Sequence, residues 1–220
     1  MNVKTVVTGD GSHTLYVAEL DETYHSRHGA RQESLYVFIQ NALEPALHKS
    51  QGVVRVLEVG FGTGLNAWLT SLLAGEQKRH IRYTAIEAFP LPEAVWGRLN
   101  YAARHQAKAF AQLHRCGWNT CQSIHSWFEL EKLATTLQDA RLPAAFFDVV
   151  YFDAFAPTKQ PELWTMEMLA KTAGAMRKGG IWVTYSARGE VRRNLAQLGL
   201  KVERLPGPPG KKHMLRAIRI

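Results

Sequence analysis

Residues 55–66 read RVLEVGFGTGLN. An apolar strand, interrupted only by Glu58, runs straight into three glycines spaced two apart, Gly60, Gly62 and Gly64. Glycines in such a turn let the backbone approach a ligand closely at the carboxyl end of a strand. A dinucleotide site spaces its glycines G-x-G-x-x-G. The pattern here is E-x-G-x-G-x-G, in which a carboxylate meets an amino acid moiety rather than a pyrophosphate, and it points to S-adenosylmethionine in preference to NAD.

Downstream of this turn, strand-like and helix-like patterns alternate: strand 55–60, helix 65–73, strand 82–87, one or two helices over 92–116 and a strand at 126–133. A short helix, a central strand at 146–152 and a helix over 161–177, stopped by Gly179-Gly180, are expected next. A strand at 181–185, a helix at 190–198 and two strands, 201–205 and 213–219, complete the chain. Alternation of this kind predicts a parallel, doubly wound α/β sheet, Rossmann-like in character. The last two strands are joined by GPPGKK rather than by a helix, which predicts a terminal antiparallel pair. Upstream, residues 3–20 alternate about Gly9-Asp10-Gly11 and predict a hairpin, followed by a polar loop and a helix from Leu35 onward. The reading is an N-terminal hairpin, loop and helix extension over 1–50 and a catalytic domain over 51–220.

Composition narrows the function classes. The 220 residues suit one α/β domain. No apolar run approaches the roughly 18–20 residues of a membrane span, and the first twenty residues lack the h-region of a signal peptide, so a cytoplasmic location is expected. Cys116 and Cys121 have no second Cys/His pair at zinc-ligand spacing, and the nine histidines form no metal set. The net charge of +8 favours a polyanionic partner.

Three segments carry the expected chemistry. Glu58 faces a cofactor ammonium group, and Asn66 either caps the following helix or touches the cofactor. Glu87 ends the second strand at the offset where an acid accepts ribose hydroxyls. In the loop Asp153-Ala154-Phe155-Ala156-Pro157, beyond the fourth strand, Asp153 orients an amine and Phe155 holds the rest of the substrate, with water taking the proton because an ordinary carboxylate is a weak base. Basic residues in loops and helix starts, Arg27, Arg31, Lys159, Arg188, Arg192, Arg193, Lys211 and Lys212, are candidate phosphate contacts beside Tyr24. His25 lies in the same polar loop, within reach of the pocket.

The segments LEVGFGTGLN, IEAFPL, FDVVYFDAFAP with QPELW, GGIWVTYSARGEVRRNLAQLG and LPGPPGKKHMLRA resemble the MnmC-type tRNA methyltransferases in their stand-alone form. DGSHTLY and YHSRHGARQES match as well, so the resemblance spans nearly the whole chain. It implies a class I methyltransferase fold and S-adenosylmethionine-dependent methylation of the primary amine of 5-aminomethyl-(2-thio)uridine at the tRNA wobble position. It also implies a functional link to an enzyme that supplies the aminomethyl precursor, and methylation without the flavin-dependent oxidase step of bifunctional relatives. Glu58, Gly60, Gly62, Gly64 and Glu87 look like cofactor residues, with Asp153 and Phe155 at the acceptor. Where relatives often carry an acid for the adenine, this chain has Thr135-Thr136, with Asp139 shortly after. The competing readings are a polyamine-type methyltransferase or aminopropyltransferase and a non-catalytic tRNA-binding relative.

Overall fold

The computed structural model describes residues 3–220, so the first two residues of the 1–50 extension lie outside the described residues. The hairpin forms as expected: β1 (Val3–Val7) pairs antiparallel with β2 (His13–Val17), and the short β3 (Glu22–Thr23) adds a third strand. A helical run over 30–49 follows as α1 (Ala30–Ser34), a π-helical stretch Leu35–Leu43 and α2 (Glu44–Lys49).

The main sheet is built on β4 (Val54–Val59), whose Val54, Val56, Leu57 and Val59 are all buried because helices cover both faces. Parallel to it run β5 (Ile81–Glu87) on one side and β8 (Phe147–Phe152) on the other. Beyond β5 lie β7 (Phe128–Ala134), parallel, and β6 (Cys121–His125), an antiparallel edge strand. Past β8 come β9 (Met176–Thr184), parallel, then β11 (His213–Arg219), which enters antiparallel between β9 and β10 (Leu200–Pro206). The order is thus β10-β11-β9-β8-β4-β5-β7-β6. Strand progression reverses at the β4–β8 boundary, and the crevice outside their carboxyl ends is where such sheets bind ligands.

Alternation along β4 divides the core. Val54 and Val56 join Phe38, Leu43, Trp68, Tyr83 and Tyr151 beneath the helical run 30–49 and α3 (Leu65–Gln77). Leu57 and Val59 join Val150, Phe152, Trp164 and Trp182 beneath α6 (Met166–Ala175) and α7 (Gly189–Gln197).

Three expectations are corrected. The helix over 161–177 ends at Ala175, and Gly179-Gly180 lie inside β9 rather than stopping that helix. The register between β8 and β9 shifts between Phe147 and Val149. A Cβ on Gly180 would stand 2.8 Å from the Arg177 carbonyl oxygen and 3.1 Å from that of Phe147, so glycine there serves a backbone approach. The short helix expected after β7 is absent; turns occupy 136–139, in a segment whose Pro143 opposes helix continuation. The 92–116 segment breaks into α4 (Glu93–Trp96), a 3-10 turn at Arg104–Gln106 and α5 (Ala107–Arg115). β6 went unpredicted because Gln122, Ser123 and His125 give it little apolar character.

Candidate active site

The crevice at the switch point is a cavity of about 630 Å³. Its floor is the glycine turn. Gly60 has φ +92°, and a Cβ there would stand 2.7 Å from the Asp153 carbonyl oxygen, so only glycine lets the end of β4 lie against the loop after β8. Gly62, at φ +50°, donates its N–H to Glu87 Oε2 at 2.8 Å, and Phe89 N–H donates to Oε1 at 2.8 Å. Each carboxylate oxygen keeps a second lone pair for a ligand hydroxyl. Burial raises the Glu87 pKa and the backbone N–H groups partly counter it.

Asn66 links the two chemical halves. Its Nδ2 donates to Glu58 Oε1 at 3.0 Å and to Asp153 Oδ2 at 2.8 Å, while Gly64 occupies the N-cap of α3. The alternative that Asn66 caps the helix is therefore not realised. Glu58 is fully buried, and burial followed by the nearby Asp153 charge holds its carboxyl well above the ordinary range. Burial also pushes Asp153 up to about 7, with Glu33 adding to the rise and Asn66 and Lys211 opposing it. Glu58 Oε2 and Asn66 Oδ1 are buried without a hydrogen-bond partner among the described residues. The Tyr83 hydroxyl acts on the Glu58 carboxyl, whereas Asn66 Oδ1, on the cavity lining, is costly to bury unless a ligand donates to it.

Across the cavity stands an aromatic wall. Tyr24, from the N-terminal extension, meets Phe155 edge-on at 5.0 Å between ring centroids. Phe155 is held from behind: its N–H donates to Gln160 Oε1 at 3.3 Å, and its carbonyl accepts from Trp164 Nε1 at 2.8 Å. Tyr185 donates its hydroxyl to the Ala154 carbonyl at 2.8 Å. His25 also lines the cavity, and burial lowers its pKa to about 4, so it is a neutral imidazole at pH 7. Thr136 and Asp139, the two candidates at the adenine end, fall in one turn on the cavity wall, where Thr136 Oγ1 donates to Asp139 Oδ2 at 2.8 Å.

The basic residues separate into two groups. Arg27, Arg31, Arg188, Arg192, Arg193 and Lys212 are exposed and Lys159 is half-buried, all outside the cavity lining. Lys211 instead lines the cavity, paired with Glu33 and lying 3.7 Å from the Tyr185 ring centroid. Glu33 and Tyr185 were missed by sequence reasoning. Tyr185 directly follows β9 and was open to the rule that strand carboxyl ends carry sites. Glu33 gave no signal, since an acid early in a helix reads as an ordinary solvated charge.

A family model described as S-adenosyl-L-methionine-dependent methyltransferase matches residues 103–220. The chain aligns over 99% of its length with the crystal structure of MNMC2 from Aquifex aeolicus, covering 70% of that chain at 30% identity with a TM-score of 0.80. It belongs to the S-adenosyl-L-methionine-dependent methyltransferases of the MnmC type. Among sequence relatives, the tRNA 5-methylaminomethyl-2-thiouridine biosynthesis bifunctional protein MnmC of Paracidovorax citrulli is 32% identical over 89% of this chain. The protein of the same name from Nitrosospira multiformis is 28% identical over 92%. The chain spans about a third of the length of these two relatives.

S-adenosylmethionine, the methyl donor of this methyltransferase family, fits the residues present. The unpartnered Asn66 Oδ1 on the cavity lining suits its ammonium group, with the fully buried Glu58 behind Asn66 and outside that lining, and Glu87 beside the Gly62 turn suits vicinal hydroxyls. Among the described residues no group of three or more His, Cys, Asp or Glu could hold a metal ion, and no helix is long and apolar enough to cross a membrane.

Proposed function

We propose that this methyltransferase N-methylates the primary amine of 5-aminomethyl-(2-thio)uridine at the tRNA wobble position, giving the 5-methylaminomethyl nucleoside. The observation that carries the reading is the Asn66 bridge, one amide bonded both to Glu58 on the donor side and to Asp153 on the acceptor side. The MnmC name of the relatives supplies the substrate class. In this reading residues 51–220 form the transfer domain and residues 1–50 its acceptor-side extension.

S-adenosylmethionine supplies an electrophilic methyl on a sulfonium sulfur. Asn66, backed by Glu58, and the turn of Gly60, Gly62 and Gly64 would hold its amino acid end, Glu87 would hold its ribose, and the Thr136–Asp139 turn would meet its adenine. Phe155 and Tyr24 clasp the uracil ring, which leaves the aminomethyl arm directed at Asp153. A primary alkylamine with a solution pKa of about 10.4 arrives as an ammonium and must lose a proton before its lone pair can attack. A carboxylate at about 7 is a much stronger base than one at its ordinary value, so Asp153 accepts that proton itself rather than leaving it to water. The amine lone pair freed at Asp153 would then face the donor methyl in line, and the electron pair of the carbon–sulfur bond would stay with sulfur on transfer. The new secondary ammonium sheds its proton as the product leaves.

Incubation with labelled donor and tRNA carrying the unmethylated aminomethyl uridine, followed by nucleoside mass spectrometry, is expected to yield labelled 5-methylaminomethyl nucleoside. In a parallel incubation with added spermidine, a labelled N-methyl polyamine without labelled tRNA would overturn the assignment. Asp153→Asn is expected to lower kcat/KM about 10²- to 10⁴-fold while leaving the cofactor Kd within about threefold of wild type, on the scale of one altered hydrogen bond. Glu87→Ala should do the reverse, and an exchange of the two patterns would undo the role assignments.

A further inference from the structure

Lys211 is the only Lys or Arg among the described residues that line the cavity, beside Glu22, Glu33, Glu87, Asp139, Asp153 and Glu162. Both proposed reactants are cations there, so a third cation is a cost unless it has work of its own. Its surroundings fix it in place. Nζ pairs with Glu33 Oε1, whose carboxyl is buried, and lies 3.7 Å from the Tyr185 ring centroid, within cation–π range. Glu33 Oε2 accepts from Ser26 N–H at 2.7 Å, next to Tyr24 and His25. Tyr185 in turn bonds the carbonyl of Ala154, the neighbour of Asp153. The terminal turn itself is pressed on the extension: a Cβ on Gly210 would fall 2.0 Å from the His28 ring.

We infer that Lys211 is a positioning residue, gripped by Glu33 and the Tyr185 ring, which keeps the Asp153 carboxylate ionised for the acceptor amine and ties the N-terminal extension to the acceptor loop. This assignment rests on the reading of Asp153 as the amine partner. It removes Lys211 from the set of phosphate contacts. Besides burial, the groups acting on Asp153 are Glu33, which raises it, Asn66, which donates to it, and Lys211, the attractive cation; Asp153 in turn raises Glu58, Tyr83 and Tyr185. Lys211 lines the same cavity as Asp153, and its positive charge favours the ionised Asp153 carboxylate.

The sign follows. Without Lys211 the Asp153 midpoint rises above 7, and without the Glu33 charge it falls. A ¹³C-carboxyl NMR titration of the intact protein reads this midpoint without turnover. Lys211→Met should raise it by about one unit, a tenfold shift in the proton equilibrium; Glu33→Gln should lower it, and Lys211→Arg should leave it near wild type. The acid limb of kcat/KM against pH should follow, so that Lys211→Met loses about tenfold at pH 6.5 and recovers above pH 8. An unmoved midpoint in both Lys211→Met and Glu33→Gln overturns the inference. So does a Lys211→Met defect confined to a salt-dependent KM for tRNA, which marks a phosphate contact. Wild-type enzyme inactive on aminomethyl tRNA would sink the substrate reading, while the NMR midpoint still decides the role of Lys211. Should Lys211→Met fail to fold, Glu33→Gln and Lys211→Arg carry the test.

Discussion

Asn66 stands between two carboxylates that each have reason to be protonated. Asp153 and Glu58 are both raised by burial, and the Asn66 N–H groups act against that rise in each. Hydrogen bonds to charged groups contribute about 1.5–3 kcal/mol each. Removing the amide therefore affects both half-sites at once, unlike the loss of Glu87 or Asp153. Asn66→Ala is expected to weaken cofactor binding about tenfold and to move the acid limb of kcat/KM upward, since Asp153 then needs a higher pH to ionise. The measurements are calorimetric Kd and a pH–rate profile. A variant with normal cofactor affinity and an unshifted limb would show that the bridge is only structural. Sequence reasoning left Asn66 open between capping and binding because both uses suit an Asn in the first turn of a helix, and only the fold brings Asp153, 87 positions away, within 2.8 Å.

At the scale of elements, the glycine turn, the parallel strands and the terminal antiparallel pair were legible because their signals are local: unbroken apolar runs, Gly60 with a positive φ, and a loop too short for a crossover helix. Gly179-Gly180 shows where locality fails. Following a helical pattern, a glycine pair reads as a stop, yet helix α6 ends at Ala175, and Phe146 N–H pairs with the Ala175 carbonyl at 2.8 Å as the chain enters β9. The need for glycine comes from Arg177, Phe147 and Asp148 carbonyls crowding position 180, a tertiary cause invisible in the periodicity. Gly180→Ala is accordingly expected to cost about 1–3 kcal/mol, the range for overpacking, and to lower Tm by roughly 2–4 °C per kcal/mol for a chain of this size. Cofactor affinity per folded molecule should stay near wild type, because Gly180, midway along β9, does not line the cavity. Thermal unfolding with and without cofactor checks this, and an unchanged Tm would mean that the β8–β9 bulge relaxes freely. Glu33 and Lys211 were illegible as a pair for a similar reason, 178 residues separating two side chains that meet only once the extension folds against the terminal turn.

Across the whole molecule, charge is sorted by location. The chain carries +8, yet among the described residues its cavity is lined by six carboxylates and one lysine. An acidic interior draws the sulfonium and ammonium of the two reactants, and a basic exterior draws the polyanion that carries one of them. Topology gathers several cations at the cavity end. Lys159 follows β8, Arg188 and Arg192 follow β9, and Lys212 immediately precedes β11, whose Leu215 pairs with Thr184 at the same end of β9. Loop residues 25–29 join them through the contact of His28 with Gly210. If Arg188 and Arg192 neutralise phosphates of an unpaired anticodon loop, each contributes a slope of about −0.7 to log K against log salt concentration. The Arg188→Ala/Arg192→Ala double variant is then expected to flatten the salt dependence of tRNA binding by about 1.4 in slope, with cofactor Kd unchanged. Filter binding across a salt series provides the measurement. A slope equal to wild type would move the tRNA track off α7 and toward Arg27 and Arg31.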